Sequence, residues 1–225
     1  MRTILRALPA LLLCGAAPFA FANGGGSRPS TFQRTPTPQQ QALDLYNDGV
    51  GYVKKADKAE LEAAKATDAG KKERAARESQ GRYAAALGKF QQSVQLDPGR
   101  YEAWNYLGYS SRKLGHYDDA LAAYDRALAL KPGYADAIEY RGEAYLAVDR
   151  LDDARKAYLD LFAGNRALAE KLLTAMKGWV AAQHAAPAGE NAASVDELDK
   201  WIQERTQIAA QTAALTRAGT ATAWR

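Results

Sequence analysis

The stretch Tyr101–Tyr134, YEAWNYLGYSSRKLGHYDDALAAYDRALALKPGY, decides the fold of this chain of 225 residues. Trp104, Leu107 and Ser111 recur at i, i+3 and i+7, so they share one face of a predicted helix. Gly108 has no Cβ and leaves room on that helix for a second helix to approach closely. The first half of the stretch is therefore predicted to be a helix against which a second helix packs closely.

A second helix follows within the same stretch. Gly115 separates the two helices, and Pro132 ends the second one because it cannot continue the hydrogen-bond ladder. The apolar stripe of the second helix consists of Ala120, Tyr124, Ala127 and Leu128. A single pair of this kind leaves an apolar face uncovered, so the pattern predicts neighbouring pairs stacked on it.

The spacing of these residues matches a known repeat. Trp104, Leu107, Gly108, Ala120, Tyr124, Ala127 and Pro132 stand at unit positions 4, 7, 8, 20, 24, 27 and 32. The unit resembles a tetratricopeptide repeat, with Ser111 where the family usually carries Tyr. The resemblance implies an all-α fold, an α-solenoid of about three stacked helical hairpins whose concave groove holds another protein or peptide.

Further units flank the first one. Residues 135–168 keep the register in weaker form, with Gly142 and Tyr158 at positions 8 and 24. Residues 166–182 place Leu168, Leu172, Met176 and Trp179 on one stripe, which predicts a capping helix over the last hairpin. The tetratricopeptide domain is thus expected to span residues 42–182.

The upstream unit is split by an insertion. Residues 42–55 supply its first helix and residues 83–98 its second, with 56–82 between them. Helix-forming residues dominate the insertion, and Asp68–Gly70 forms a credible turn, so we expect a lengthened helical hairpin. The alternatives are a flexible charged loop, or an arm that contacts a partner or a second copy of the chain.

The N-terminus predicts export. Arg2 and Arg6 precede a short apolar run, and Ala20–Ala22 forms an A-x-A cleavage site. Residues 1–22 therefore have the pattern of a secretory signal peptide. Residues 23–41 are rich in Gly, Pro, Thr and Gln and are expected to be a disordered lead-in. We therefore expect a periplasmic protein, with a secreted protein or a lipoprotein lipidated at Cys14 as the alternatives.

Charge and composition exclude some partners. The chain carries 30 Lys and Arg against 26 Asp and Glu, and loss of Arg2 and Arg6 with the signal lowers 30 to 28 and the net charge to +2. Basic and acidic residues are interleaved, so no nucleic-acid-binding surface is expected. The mature chain is expected to lack cysteine and an integral membrane segment.

A C-terminal helix is predicted after a linker at residues 184–193. Ser194 as N-cap and Glu197 three residues later form a capping box that opens a helix over 194–217. Its apolar side consists of Val195, Leu198, Trp201, Ile202, Ile208 and Leu215. Three roles stay open: docking on the stack, self-association, or lying on a membrane surface.

The sequence offers few residues that could act in catalysis. The only histidines are His116, in a predicted turn, and His184, in the linker, so neither a metal site nor a nucleophilic triad is predicted, and no cofactor. Glu139 and Glu143 lie one helical turn apart, as a paired-carboxylate hydrolase would require. Arg112 and Arg141 are expected to neutralise that pair, so we do not expect an enzyme.

By resemblance, positions 2, 5, 9, 12 and 13 of each first helix line the groove. On this chain the candidate groove residues are Tyr46, Val50, Glu102, Asn105, Tyr109, Arg112, Lys113, Asp136, Glu139 and Glu143. The variety of repeat that grips an acidic C-terminus uses Lys and Asn there. Only Asn105 suits that role, and Glu139 with Glu143 would repel a carboxylate, so an acidic end favouring basic segments is expected instead.

The sequence therefore predicts a non-catalytic scaffold or adaptor of the bacterial cell envelope that binds a partner protein or peptide. An accessory subunit of a secretion or envelope-assembly machine is the close alternative. A hydrolase using Glu139 and Glu143 is the alternative of a different class. Self-association through the insertion or the C-terminal helix is a further expectation.

Overall fold

The computed structural model describes residues 35–187, 189 and 191–222, so the predicted signal peptide lies outside the described residues. Within these residues the chain forms eight α-helices and no strand, which confirms the predicted all-α class. The helices are α1 (Pro38–Lys65), α2 (Ala69–Leu96), α3 (Tyr101–Lys113), α4 (Tyr117–Leu130), α5 (Ala135–Ala147), α6 (Leu151–Gly164), α7 (Arg166–Ala185) and α8 (Ala192–Thr222).

Consecutive helices pair into hairpins. Helix α1 packs on α2, α3 on α4 and α5 on α6, while α7 and α8 follow the third hairpin. Helices α1, α3, α5 and α7 also contact one another in sequence, so the first helices of successive hairpins form a common layer. We call the surface of this layer the first-helix face.

The first hairpin is twice as long as the others. Helices α1 and α2 have 28 residues each, against 13 and 14 for α3 and α4, and residues 56–82 lie within these two helices and their turn. The turn is Ala66–Asp68, and Asp68 caps α2 by accepting a 2.8 Å hydrogen bond from the backbone N–H of Lys71. The predicted turn at Asp68–Gly70 was therefore two residues too late, because Asp68 is a helix cap.

The start of α1 also differs from the predicted lead-in. Residues 38–41 were expected to be disordered, yet they form the first turn of α1. Thr37 accepts a 3.2 Å hydrogen bond from the backbone N–H of Gln40, and Pro38 opens the helix. Pro is well suited to a first helical position, because its missing N–H would have no partner there.

Glycine sets the distance between the helices of the first two hairpins. A Cβ on Gly49 would lie 2.7 Å from the ring of Phe90, and one on Gly108 would lie 2.6 Å from the ring of Tyr124. Both rings are fully buried. Gly142 plays the same part for α7, since a Cβ there would lie 2.7 Å from Leu172. The glycine of each repeat therefore admits one large side chain.

The two C-terminal helices close the stack. Leu172 and Met176 of α7 are fully buried, and Val195, Leu198 and Ile202 of α8 join the same core. This half of α8 is docked, whereas Ile208 is 37% exposed. Helix α8 begins at Ala192, so Ser194 lies in its first turn and the predicted capping box is wrong.

Replacing Gly108 tests the packing. Gly108→Ala places a methyl group against the buried ring of Tyr124, so we expect a loss of about 1–3 kcal/mol in the free energy of unfolding. Urea denaturation followed by circular dichroism measures this loss.

Gly81→Ala is the matched control. A Cβ on Gly81 meets no atom within 4 Å, and alanine favours a helix interior, so this variant should gain about 0.5–1 kcal/mol. Equal effects of the two substitutions would contradict the proposed packing role of Gly108.

Candidate functional site

A band of tyrosine rings crosses the first-helix face. Tyr46 of α1 contacts Tyr106 of α3, with 5.8 Å between ring centroids. Tyr106 contacts Tyr109 at 6.4 Å, and Tyr109 contacts Tyr140 of α5 at 4.9 Å. All four rings are partly buried and so keep part of their surface in solvent. We call these four residues the tyrosine band.

Ion pairs connect the same helices one after another. Lys113 of α3 pairs with Glu60 of α1, and Arg112 of α3 pairs with Glu143 of α5 at 2.6 Å. Lys171 of α7 pairs with Glu139 of α5 at 3.0 Å. Acidic groups on α1 and α5 thus alternate with basic groups on α3 and α7. We call these six side chains the charge ladder.

Asp57 joins the long first hairpin to the second. Its Oδ1 accepts hydrogen bonds from the hydroxyls of Tyr83 at 2.6 Å and Tyr109 at 2.8 Å. The Tyr83 hydroxyl also lies 2.8 Å from Oε2 of Glu60, so its one proton is shared between the two carboxyl groups. Although burial alone raises it, the hydrogen bonds from Lys113 and Tyr83 hold the pKa of Glu60 below its usual value. The extended part of α1 is therefore tied to α2 and α3 through the side chains of Asp57 and Glu60.

Glu139 is the one charged side chain of the ladder that has no exposed surface. Its Oε2 accepts from Lys171, and its Oε1 is buried. Burial, followed by a hydrogen bond to Glu143 and repulsion from that carboxylate, raises the pKa of Glu139 to about 8, against the lowering effect of Lys171. Glu139 therefore holds its proton to a higher pH than an exposed glutamate does.

Two carboxylates of the first-helix face have no ion pair among the described residues. Glu102 of α3 and Asp136 of α5 are both partly buried and stand at position 2 of their units. Neither lies within 4 Å of a basic nitrogen of the described residues. The unpaired negative charge of this face is thus at the N-terminal ends of α3 and α5.

Comparison with known proteins shows what this arrangement is similar to. A family profile described as Tetratricopeptide repeat matches residues 68–134 and 110–170. Residues 68–170 are thus similar to tetratricopeptide repeats. The first match begins at the N-cap of α2 and leaves α1 uncovered, and the second ends inside α7. No curated protein matched the sequence.

Several solved tetratricopeptide structures are similar to the chain. The first TPR of Spaghetti (RPAP3) bound to the HSP90 peptide SRMEEVD has a TM-score of 0.47 and 20% identity, covering 64% of this chain and 96% of that chain. The second TPR domain of human RPAP3 with the HSP70 peptide SGPTIEEVD has a TM-score of 0.45 and 19% identity, covering 61% and 95%. The TPR2B domain of yeast Sti1 in its pHsp70 complex has a TM-score of 0.33 and 15% identity, covering 67% and 98%.

The structure places the ten predicted groove residues on the first helices α1, α3 and α5. Eight of them are partly buried, but Asn105 and Glu139 are 1% and 0% exposed. Arg112, Lys113, Glu139 and Glu143 are all engaged in the charge ladder. The expected acidic end at Glu139 and Glu143 is therefore neutralised, because Lys171 and Arg112 lie beside it.

Sequence reasoning missed part of the face. Tyr106 and Tyr140 stand at position 6 of successive units, so their recurrence in the sequence was a usable signal. Asp57 and Glu60 lie in the insertion, and Lys171 lies in the capping helix. These three have no position in the repeat, and nothing in the sequence pattern assigns them to the first-helix face.

The described residues show neither a candidate metal site nor a helix that could span a membrane. No group of three or more His, Cys, Asp and Glu side chains there is arranged to hold a metal ion. His184 of α7 lies 3.1 Å from Asp196 of α8. No described helix is both long and apolar enough to cross a bilayer.

The buried carboxyl of Glu139 makes stability depend on pH. Its pKa of about 8 in the folded state exceeds the reference value of 4.5, so between these values the folded state holds one more proton than the unfolded state. The contribution to stability is therefore fully present below about pH 4.5 and is lost as the pH rises to about 8.

Glu139→Gln removes this dependence, because the amide keeps an acceptor for Lys171 and does not titrate. We expect the variant to gain roughly 1–3 kcal/mol relative to wild type between pH 5 and pH 9. Urea denaturation at both pH values measures the difference. The exposed control Glu197→Gln should follow wild type, and identical pH slopes for wild type and Glu139→Gln would contradict a raised pKa.

Proposed function

We propose that this protein is a non-catalytic scaffold that binds a partner protein or peptide on its first-helix face. The observation that carries the proposal is the tyrosine band, four adjoining rings from three helices that are only partly buried. The similarity to tetratricopeptide repeats supports the proposal, because the resemblance implies that the first helices line the binding groove. The band supplies a ready surface for a chain laid across α1, α3 and α5.

Tyrosine rings suit this purpose. Each offers a large flat surface at low entropic cost, and its hydroxyl remains able to bond to a polar group of the partner. Tyrosine is accordingly enriched among residues that dominate protein interfaces. In this chain the rings also support one another edge to face, for example Tyr46 and Tyr106 with planes at 69°. Such mutual packing fixes their positions before a partner arrives.

The charge ladder limits what the face attracts. Its cations Arg112 and Lys113 each already bind a carboxylate of a neighbouring helix, and Lys171 donates a hydrogen bond to the carboxyl group of Glu139. An acidic peptide would have to displace these internal partners and leave a carboxylate uncompensated. The ladder therefore acts as a brace between repeats, and recognition falls to the tyrosine band and to Glu102 and Asp136.

The alternative of a hydrolase has no geometric support. Glu139 has no exposed surface and is held by Lys171, while Glu143 is bound to Arg112. A general acid or base must reach its substrate within hydrogen-bond distance. The pair is instead part of the charge ladder, and we assign it a structural role.

We further propose export to the periplasm, on the signal-peptide pattern of residues 1–22. A role as scaffold or adaptor of the bacterial cell envelope follows from that location. An accessory subunit of a secretion or envelope-assembly machine is the close variant of the same proposal, because such a subunit would use the same face.

Selection from a random 12-residue peptide library displayed on phage tests the proposed face. Tyr106→Ala combined with Tyr140→Ala removes two rings of the tyrosine band, and we expect at least tenfold weaker binding of the selected peptides. Fluorescence anisotropy with purified peptides measures the dissociation constants.

Arg126→Ala is the control, because Arg126 is exposed on α4, a second helix of a repeat. This variant should bind like wild type. Peptides that bind the double tyrosine variant as well as they bind wild type would place the binding surface elsewhere.

Processing of the N-terminus tests the proposed export. Cleavage after Ala22 should yield a periplasmic protein that begins at Asn23. Intact-mass measurement on protein from a periplasmic extract identifies the first residue. Ala20→Arg should block the cleavage, and a cytoplasmic protein that retains residues 1–22 would contradict the proposal.

A further inference from the structure

The unpaired carboxylates of the first-helix face recur with a fixed spacing to tyrosine. Glu102 precedes Tyr106 by four residues on α3, and Asp136 precedes Tyr140 by four residues on α5. Residues four apart lie one above the other on a helix. Each carboxylate therefore stands one turn from a ring of the tyrosine band, at the N-terminal end of its helix.

Glu102, Asp136, Tyr46 and Tyr106 form a group that we call the acidic tyrosine cluster. The rings of Tyr46 and Tyr106 are in edge contact at 5.8 Å. Burial raises the pKa of Tyr106 and the Asp136 carboxylate raises it further, while burial, Tyr106 and Glu102 raise that of Tyr46 to about 12. The two carboxylates thus act electrostatically on both rings of the cluster.

The two cations around the cluster make their short contacts with other residues, although the Glu102 carboxylate acts electrostatically on Lys131. Arg100 lies 5.9 Å from the Tyr46 centroid but pairs with Asp97 at 3.3 Å. Lys131 lies 4.4 Å from the Tyr101 centroid and donates to the Tyr101 hydroxyl at 2.8 Å. The same molecule therefore shows cations placed over tyrosine rings, while the two carboxylates of the cluster lack an ion-pair partner.

Asn105 supplies a second, independent indication. It follows Glu102 by three residues and precedes Tyr109 by four, so it projects from the same side of α3. Its side chain is 1% exposed, and its Oδ1 accepts no hydrogen bond from the described residues. A buried acceptor without a donor is unfavourable, so a donor that reaches it stabilises the complex.

We infer that the acidic tyrosine cluster receives a lysine or arginine side chain of the partner, in the interface that the proposed function assigns to the first-helix face. The carboxylates of Glu102 and Asp136 bind the cation, the rings of Tyr46 and Tyr106 pack on its aliphatic stem and charge, and Asn105 offers an acceptor. An isolated carboxylate ligand is rejected by the same charges.

The test uses peptides selected from the unbiased phage library on the purified protein. We expect a Lys or Arg at one shared position of the selected peptides. Replacing that residue by Gln in the peptide should weaken binding roughly five- to tenfold at low salt, and less at 0.5 M NaCl because salt screens the pair.

The matching change in the protein is Glu102→Gln combined with Asp136→Asn, which keeps the shape of both side chains. This variant should lose the same factor with the original peptide and should no longer distinguish the Lys or Arg peptide from its Gln form. Glu197→Gln, an exposed carboxylate on α8, is the control and should retain wild-type affinity. Unchanged melting temperatures establish that the variants are folded.

Two outcomes overturn the inference and are distinguishable. Peptides that need Tyr106 and Tyr140 but bind equally well with Gln in place of their basic residue would disprove the cation site and leave the proposed function intact. A library that yields no peptide dependent on the tyrosine band would overturn the proposed function, and the cation site with it.

Discussion

The contact between a repeat glycine and one large buried side chain sets the spacing of the whole stack. At Gly49 and Gly108 the partner is an aromatic ring from the second helix of the same hairpin. At Gly142 the nearest atoms belong to Leu172 of the capping helix α7. Because protein interiors are close-packed, the absence of a Cβ at these points decides how near the helices lie. The first helices are thereby brought into one layer.

Within that layer, acidic and basic side chains alternate from one helix to the next. Ionised side chains on adjacent helices would repel one another if they had the same sign, but here acids on α1 and α5 face bases on α3 and α7. Burial and the neighbouring Glu143 raise the pKa of Glu139, so a charge at this buried position is disfavoured. Most charged side chains of the first-helix face thus bind one another. The tyrosine band and the two carboxylates without an ion pair are the groups that we propose contact a partner.

The long first hairpin contributes to the same face. Its extension carries Asp57 and Glu60, which hold Tyr83, Tyr109 and Lys113. The insertion therefore orders a tyrosine of the second repeat, and α1 and α2 gain contacts that a loop would lack. Beyond these residues the hairpin is polar and exposed, with Leu61 53% accessible to solvent.

The sequence by itself determined the helical class, the repeat register at Gly108 and Tyr124, and the capping stripe of Leu172 and Met176. These features are local, because helical periodicity and the steric demands of glycine and proline act within a few residues. Tertiary structure alone decided that Asn105 and Glu139 are buried and that Lys171 and Glu60 belong to the first-helix face. The charge ladder pairs residues that are 30 or more positions apart in the sequence. A local sequence pattern does not show which of these distant charges become neighbours, because that depends on how the helices pack around the repeat glycines.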